Sequence, residues 1–153
     1  MGNFGSSKKI GPISTGHRQY LDDGHCAWIH GYGRYVRFDF EGEIDERMWV
    51  VDFGDLRDAK KIIEDAWDHK LLLSSEDPHL DKIQALEEFN IVRVTVMDAS
   101  KGHGPGIEGS AKWVYDTINP LILEKTKGRA WISKVEIWEH ENNSAYYVPK
   151  SAQ

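Results

Sequence analysis

The chain has a single cysteine, Cys26, among its 153 residues, so an internal disulfide is excluded. No apolar run approaches the roughly 20 residues that a membrane-spanning helix requires. Residues 1–10 also lack the apolar segment of a secretory signal. One unpaired thiol and no export signal together predict a protein of the reducing cytoplasm.

The chain also has fewer positively than negatively charged residues. The chain carries 19 Lys and Arg against 25 Asp and Glu, for a net charge of −6 at pH 7. Such a chain is a poor match for a nucleic-acid backbone, although a local basic pocket can still attract a small anion. The length fits one domain over residues 1–153, with residues 1–9, rich in Gly, Ser and Lys, predicted to be flexible.

Hydrophobic periodicity gives the predicted secondary structure. Residues 34–41 alternate between apolar and polar side chains, which is typical of a strand with one buried face. Apolar residues spaced by three and four from Leu56 to Trp67 predict a helix, with Asp55 as its cap. Further predicted strands are 10–17 (short or bulged), 48–53, 91–97, 131–139 and 145–148, and further predicted helices are 75–90 and 107–123. The order predicts an α+β fold in which a four-stranded antiparallel sheet has its helices on one face.

Such a sheet has open edges, and open edges have to be paired or protected. Pairing with a second copy of the chain is one solution. We therefore expect a homo-oligomer in which the sheets of neighbouring chains join into a barrel.

Residues able to carry chemistry collect at the predicted element ends. His17 ends one strand and His30 opens the next, so the two imidazoles could converge on one metal ion, or both could be polar loop residues. Asp68 directly precedes His69, and a carboxylate can fix an imidazole's tautomer and raise its basicity. A histidine at the negative end of a helix dipole is the purely structural alternative.

Charged residues offer further candidates. Glu139 ends an aromatic-rich strand and could bind a ring with two adjacent N–H donors, or could be a solvated edge residue. Glu108 falls in the first turn of a predicted helix, where a carboxylate suits the dipole. Arg18, Arg34 and Lys101 are candidate phosphate partners, although solvation at the surface is the favoured role for each.

Taken in chain order, these residues resemble the 6-pyruvoyltetrahydropterin synthase and 6-carboxytetrahydropterin synthase family. The matching segments are Gly16-His17-Arg18, Cys26-x-x-x-His30-Gly31, Gly42-Glu43-Ile44-Asp45 with Val51-Asp52-Phe53-x-x-Leu56, Asp68-His69-x-x-Leu72, Pro105-x-x-Glu108, and Glu139 with Tyr147. The spacing from Cys26 to His30 resembles the 6-carboxy branch, which serves queuosine biosynthesis. Ordered matches over residues 13–148 are far more specific than any single motif.

The resemblance implies a tunnelling fold whose trimers stack into homohexamers with active sites between subunits. It implies a lyase that converts 7,8-dihydroneopterin triphosphate to 6-carboxytetrahydropterin, releasing acetaldehyde and triphosphate. Cys26 would be the base that abstracts a proton, and Asp68 with His69 would relay it. Glu139 would anchor the pterin, with Glu108 as a further substrate contact.

The resemblance also implies a zinc site formed by His17, His30 and Tyr32. Tyr32 stands where the family has its third histidine, and a phenol with a pKa of about 10 is a poorer ligand. Weak zinc binding, another metal or no metal all follow from such a set. His25, one residue before the cysteine, is a substitute ligand.

Two alternatives remain open at this stage. The chain could be a zinc-deficient, oligomeric protein that binds a pterin or a purine. It could also keep the fold and the metal but catalyse another reaction, that of a 6-pyruvoyltetrahydropterin synthase or of an aldolase that cleaves the side chain. Residues 74–104 form an insertion relative to compact members of the family, either a lid that brings Lys101 or His103 to a phosphate, or a structural extension.

Overall fold

A computed structural model describes residues 2–150; Met1 and residues 151–153 of the predicted domain lie outside the described residues. The elements are β1 (Phe4–His17), β2 (His30–Gly42), α1 (Leu56–Trp67), β3 (Lys70–Ser74), α2 (Leu80–Gln84), β4 (Val94–Met97), α3 (Ile107–Thr126), β5 (Ala130–His140) and β6 (Asn143–Tyr147). Short 3₁₀ turns separate several of them.

The strands form one six-stranded mixed sheet in the order β4-β3-β1-β2-β5-β6. β1, β2, β5 and β6 are successively antiparallel, whereas β3 runs parallel to both β1 and β4. The predicted four-stranded antiparallel sheet is therefore wrong in strand number and in direction. The missed strand, β3, is a run of buried leucines without alternation, the pattern of a parallel strand covered on both faces.

The predicted strand at 48–53 is also wrong. The Asp45 carboxylate accepts a hydrogen bond from the backbone N–H of Trp49 at 3.0 Å and closes a turn there. Val50 and Val51 are both buried in succession, which an alternating strand would not allow. β2 pairs instead with β1 and β5.

β1 is longer than predicted, because residues expected to be flexible pair with β2 from Phe4 onward. The predicted bulge is confirmed, since the register shifts between Ile10 and Ile13. Gly11 lies there at φ 129°, where a Cβ would come within 2.6 Å of the Arg34 carbonyl oxygen. The bulge sets the register that brings the end of β1 opposite the start of β2.

The core lies between one face of the sheet and the helices α1 and α3. α1 contributes the predicted buried stripe of Leu56, Ala59, Ile63 and Trp67. The sheet contributes Ile10, Ile13, Val36, Phe38, Phe40, Ile132, Val135 and Ile137. Asp55 precedes α1 but makes no capping hydrogen bond through its side chain.

The segment 74–104 extends the sheet rather than standing apart from it. Its predicted helix is divided into α2 and a 3₁₀ turn at Ala85–Phe89, and its predicted strand is the edge strand β4. His103 turns inward, with its Nε2 2.7 Å from Asp116 Oδ2 on α3. Within residues 2–150, no helix combines the length and the apolar character needed to cross a membrane.

Candidate active site

Three aromatic rings gather where β1 ends and β2 begins. His17 pairs with His30 across the two strands, and their ring centroids lie 4.4 Å apart. The ring of Tyr32, two pairs further along the ladder, lies 5.8 Å from that of His17 and 5.5 Å from that of His30. The structure thus brings together the three residues that we predicted as metal ligands.

A buried arginine lies next to this cluster. Arg34 is fully buried, and its guanidinium donates hydrogen bonds to Ser110 Oγ at 3.0 Å, to the Pro105 carbonyl oxygen, and to His17 Nδ1 at 3.3 Å. It also stacks over the Trp67 ring at 5.5 Å. The surface role that we favoured for Arg34 is therefore wrong.

Burial and neighbouring charges set the ionisation of this pair. Burial lowers the pKa of Arg34 to about 10, against the opposing effects of Glu139 and Glu108, so the guanidinium stays charged at neutral pH. Burial, the Arg34 charge and His30 lower the pKa of His17 to about 3. His17 is consequently a neutral imidazole at neutral pH.

Glu139 and Cys26 lie close enough to affect the same ring cluster. Burial raises the pKa of Tyr32, and the charges of Glu139 and then Cys26 raise it further. Glu139 Oε1 also accepts a hydrogen bond from Asn143 Nδ2 at 3.1 Å. The His140 ring lies 5.8 Å from Tyr32 and borders the cluster from β5. The rings of three histidines therefore surround Tyr32, and the charges of Glu139 and Cys26 act on its phenol from further away.

The loop that carries Cys26 is fixed by an ion pair. Arg18 donates to Asp77 through Nε at 2.6 Å and Nη2 at 2.9 Å, and through Nη1 to the Ala27 carbonyl at 2.8 Å. The Asp77 side chain is fully buried, and the hydrogen bond from Arg18 lowers its pKa. Arg18 thus holds the 3₁₀ turn His25–Ala27 in place. The solvated surface role that we favoured for Arg18 is wrong.

The predicted proton relay does not join this cluster within one chain. Asp68 Oδ1 does lie 3.1 Å from His69 Nδ1, but the His69 side chain is 81% exposed. The backbone N–H of His69 donates to the Ser14 carbonyl, and its side chain lines a groove with Ser14 and Gly16. These β1 residues alternate with buried His17, so the groove lies on the opposite face of the strand.

Sequence reasoning missed the roles of Arg34 and Ser110 and the position of His140. A signal was present for the arginine. Arg34 occupies the same parity as Val36, Phe38 and Phe40 on β2, so the alternation alone placed it on the buried face. For Ser110 and His140 no comparable pattern exists in the sequence.

The predicted ligands do not fit a zinc ion. His17 Nδ1 is engaged by Arg34, and a neutral imidazole has only one unprotonated nitrogen. The pKa of Tyr32 is raised, which disfavours the phenolate that would bind a metal. Among residues 2–150 no group of three or more His, Cys, Asp or Glu side chains is arranged to hold a metal ion.

Known proteins with similar sequences are pterin synthases. The family model described as 6-pyruvoyl tetrahydropterin synthase matches residues 8–150. A probable 6-carboxy-5,6,7,8-tetrahydropterin synthase of Halobacterium salinarum is 36% identical over 82 residues, which cover 54% of this chain and 52% of that relative. The 6-carboxy-5,6,7,8-tetrahydropterin synthase of Rickettsia felis is 24% identical over 132 residues, covering 85% of this chain and 90% of that relative.

Two solved structures share the fold. An uncharacterized protein from Wolinella succinogenes superposes with a TM-score of 0.77 at 18% identity, covering 97% of this chain and 99% of that one. The Caenorhabditis elegans 6-pyruvoyl tetrahydropterin synthase superposes with a TM-score of 0.66 at 19% identity, covering 98% of each chain. The sheet and its helices thus define an α+β protein with the fold of these two structures. The chain belongs to the 6-pyruvoyl tetrahydropterin synthase family.

Proposed function

We propose that this chain is a lyase of the 6-carboxytetrahydropterin synthase kind, acting on 7,8-dihydroneopterin triphosphate and releasing acetaldehyde and triphosphate. The observation that carries the proposal is the cluster of the His17, His30 and Tyr32 rings, with a phenol on which the charges of Glu139 and Cys26 act. Curated relatives in the family bear the corresponding name. A role in the queuosine branch and a cytoplasmic location are parts of the same proposal.

The proposed reaction needs a base for the carbon-bound proton and groups that hold the side-chain hydroxyls and the ring of the substrate. Cys26 is a free and partly exposed thiol, and as thiolate it would take the carbon-bound proton next to the pterin ring. The His30 imidazole donates from Nδ1 to the Trp28 carbonyl at 2.6 Å, which leaves Nε2 as an acceptor for a side-chain hydroxyl. Glu139 would hold the pterin through two parallel N–H···O bonds.

Asp68 and His69 take part in this proposal only from a neighbouring chain. Their groove lies across β1 from His17, and the sheet ends in two open edges, β4 and β6. The proposal includes a homo-oligomer that joins these edges, with one chain's His69 beside another chain's Cys26. A trimer or a stacked hexamer is the expected assembly.

Turnover tests the reaction directly. Purified protein is incubated with 7,8-dihydroneopterin triphosphate, and acetaldehyde and the pterin product are quantified by mass spectrometry. Cys26→Ala is expected to abolish acetaldehyde release, whereas Asp23→Asn, exposed three residues earlier in the same loop, is expected to retain it. No product over a range of pH and added metal ions would refute the proposal.

Complementation tests the shared site. Cys26→Ala and His69→Ala are each expected to be inactive, and co-refolding the two variants is expected to restore part of the turnover. Restoration requires sites that take the thiol from one chain and the imidazole from another. Lack of restoration, with mixed oligomers shown by native mass spectrometry, would refute a site shared between chains.

A second candidate is an oligomeric pterin- or purine-binding protein. Tyr32 favours it, because a raised phenol pKa and an arginine-bound His17 weaken the expected zinc site. Calorimetric binding of a pterin without any turnover would support this function. A 6-pyruvoyltetrahydropterin product would instead identify the sister reaction.

A further inference from the structure

Arg34 determines which nitrogen of His17 carries a hydrogen. The guanidinium has only N–H groups, so His17 Nδ1 must accept the hydrogen bond at 3.3 Å through its lone pair. A neutral imidazole with an unprotonated Nδ1 has its hydrogen on Nε2. No other described residue hydrogen-bonds to the His17 ring, so this Nε2–H remains free to donate.

His30 has the opposite arrangement. Its Nδ1 lies 2.6 Å from the Trp28 carbonyl oxygen, which can only accept, so Nδ1 carries the hydrogen. In the neutral ring, its Nε2 is then a lone-pair acceptor. The two rings, 4.4 Å apart, form a pair in which one presents a donor and the other presents an acceptor.

A fixed positive charge accompanies this pair. Arg34 is held on three sides, by Ser110, Pro105 and His17, and its Nε has no partner among the described residues. A divalent cation bound to His17 would have to displace the guanidinium from Nδ1 or to take the hydrogen from Nε2. It would also face the repulsion of a buried like charge.

We propose that Arg34 replaces the metal ion in this site, as a positioning residue that supplies the positive charge and holds His17 as a hydrogen-bond donor. His17 Nε2–H then stabilises the negative charge that develops on a substrate oxygen when the carbon-bound proton leaves. This catalytic part rests on the proposed function. The tautomer of His17 and the absence of metal binding do not depend on it.

Imidazole nitrogen NMR of the wild-type protein tests the tautomers. Two-bond proton–nitrogen correlations are expected to show His17 protonated at Nε2 and His30 protonated at Nδ1. The variants His17→Gln and His30→Gln assign the two rings. A His17 ring protonated at Nδ1, or shifts of either ring on addition of zinc, would overturn the inference.

Metal titration tests the replacement with matched variants. The wild type and Tyr32→His, which keeps Arg34, are expected to retain well under one equivalent of zinc after dialysis, measured by elemental analysis. The double variant Tyr32→His/Arg34→Met restores a third imidazole and removes the guanidinium, and its zinc affinity is expected to rise by at least about tenfold. Stoichiometric zinc in the wild type would overturn the inference.

Turnover in chelator separates this inference from the proposed function. Activity that survives chelation supports both. Activity that is lost with chelator and regained with zinc refutes the metal-free site while it supports the lyase. If no condition gives turnover but the tautomers and the metal content are as expected, the proposed function fails and the assignment of Arg34 stands.

Discussion

Replacing Asp77 by Asn tests the ion pair that holds the Cys26 loop. The carboxylate is fully buried and accepts two hydrogen bonds from Arg18 at 2.6 and 2.9 Å. Asn keeps the shape but removes the charge and turns an amide N–H₂ group toward the guanidinium. Breaking one partner of a buried pair costs about 3–5 kcal/mol, and the slight exposure of Arg18 reduces our expectation to about 2–4 kcal/mol.

Unfolding by urea, which gives the free energy, and by heat, which gives the melting temperature, is followed by the fluorescence of the six tryptophans. At 2–4 °C per kcal/mol for a chain of this size, the melting temperature should fall by roughly 4–16 °C. Asp81→Asn is the matched control, because Asp81 lies exposed on α2, and it should change stability by less than about 0.5 kcal/mol. All proteins are compared at equal concentration, since oligomerisation affects apparent stability.

The pH dependence of the free energy of unfolding tests whether the Asp77 charge stabilises the folded chain. The pKa of Asp77 in the folded chain lies below its unfolded value, so its stabilisation is present above the unfolded pKa of about 3.9 and is lost as the pH falls through the folded pKa. The difference between wild type and Asp77→Asn should therefore stay constant from neutral pH to about 5 and shrink in stronger acid. A difference below about 0.5 kcal/mol, or one unchanged at low pH, would refute the buried ion pair.

Two further substitutions examine the pterin anchor and the loop before α3. Glu139→Gln should weaken pterin binding by about 10- to 100-fold, because it removes the charge from a bidentate pair, and calorimetry against exposed Glu141→Gln measures this. Equal affinities would exclude Glu139 as the anchor. Gly109→Ala should destabilise the chain by about 1–3 kcal/mol, since its Cβ would overlap the Gly104 backbone, whereas Gly2→Ala, with open space around it, should not. Equal melting temperatures would contradict that packing.

The sequence was sufficient where periodicity is strong and local. The stripe on α1 and the alternation on β2 and β5 gave those elements, because one buried face imposes one repeat. It failed at Leu71 to Leu73, since burial on both faces erases the alternation that identifies a strand. It failed again at Val50 and Val51, where apolar residues are buried by a turn.

The same distinction between local patterns and distant contacts applies to the candidate active site. The pairing of His17 with His30 follows from two neighbouring strands, so the order of the residues was enough to expect it. Arg34 was misjudged because an arginine suggests a surface position, and the contacts that accommodate it come from the distant residues Pro105 and Ser110. His69 lies on the opposite face of β1 from His17. Which face it takes depends on how the strands pair in the sheet, and the predicted strand order did not include that pairing.

The same guanidinium links the fold to the chemistry. Arg34 extends from β2, and two of its three hydrogen-bond partners belong to the segment where α3 begins, while the third is the His17 ring. The contact that sets the His17 tautomer therefore also joins the helix to the sheet. Because removing the guanidinium leaves His17 Nδ1 without a donor and takes away two contacts near the start of α3, loss of activity in an Arg34 variant is ambiguous by itself. The tautomer of His17 in the intact protein is the observation that separates the two roles.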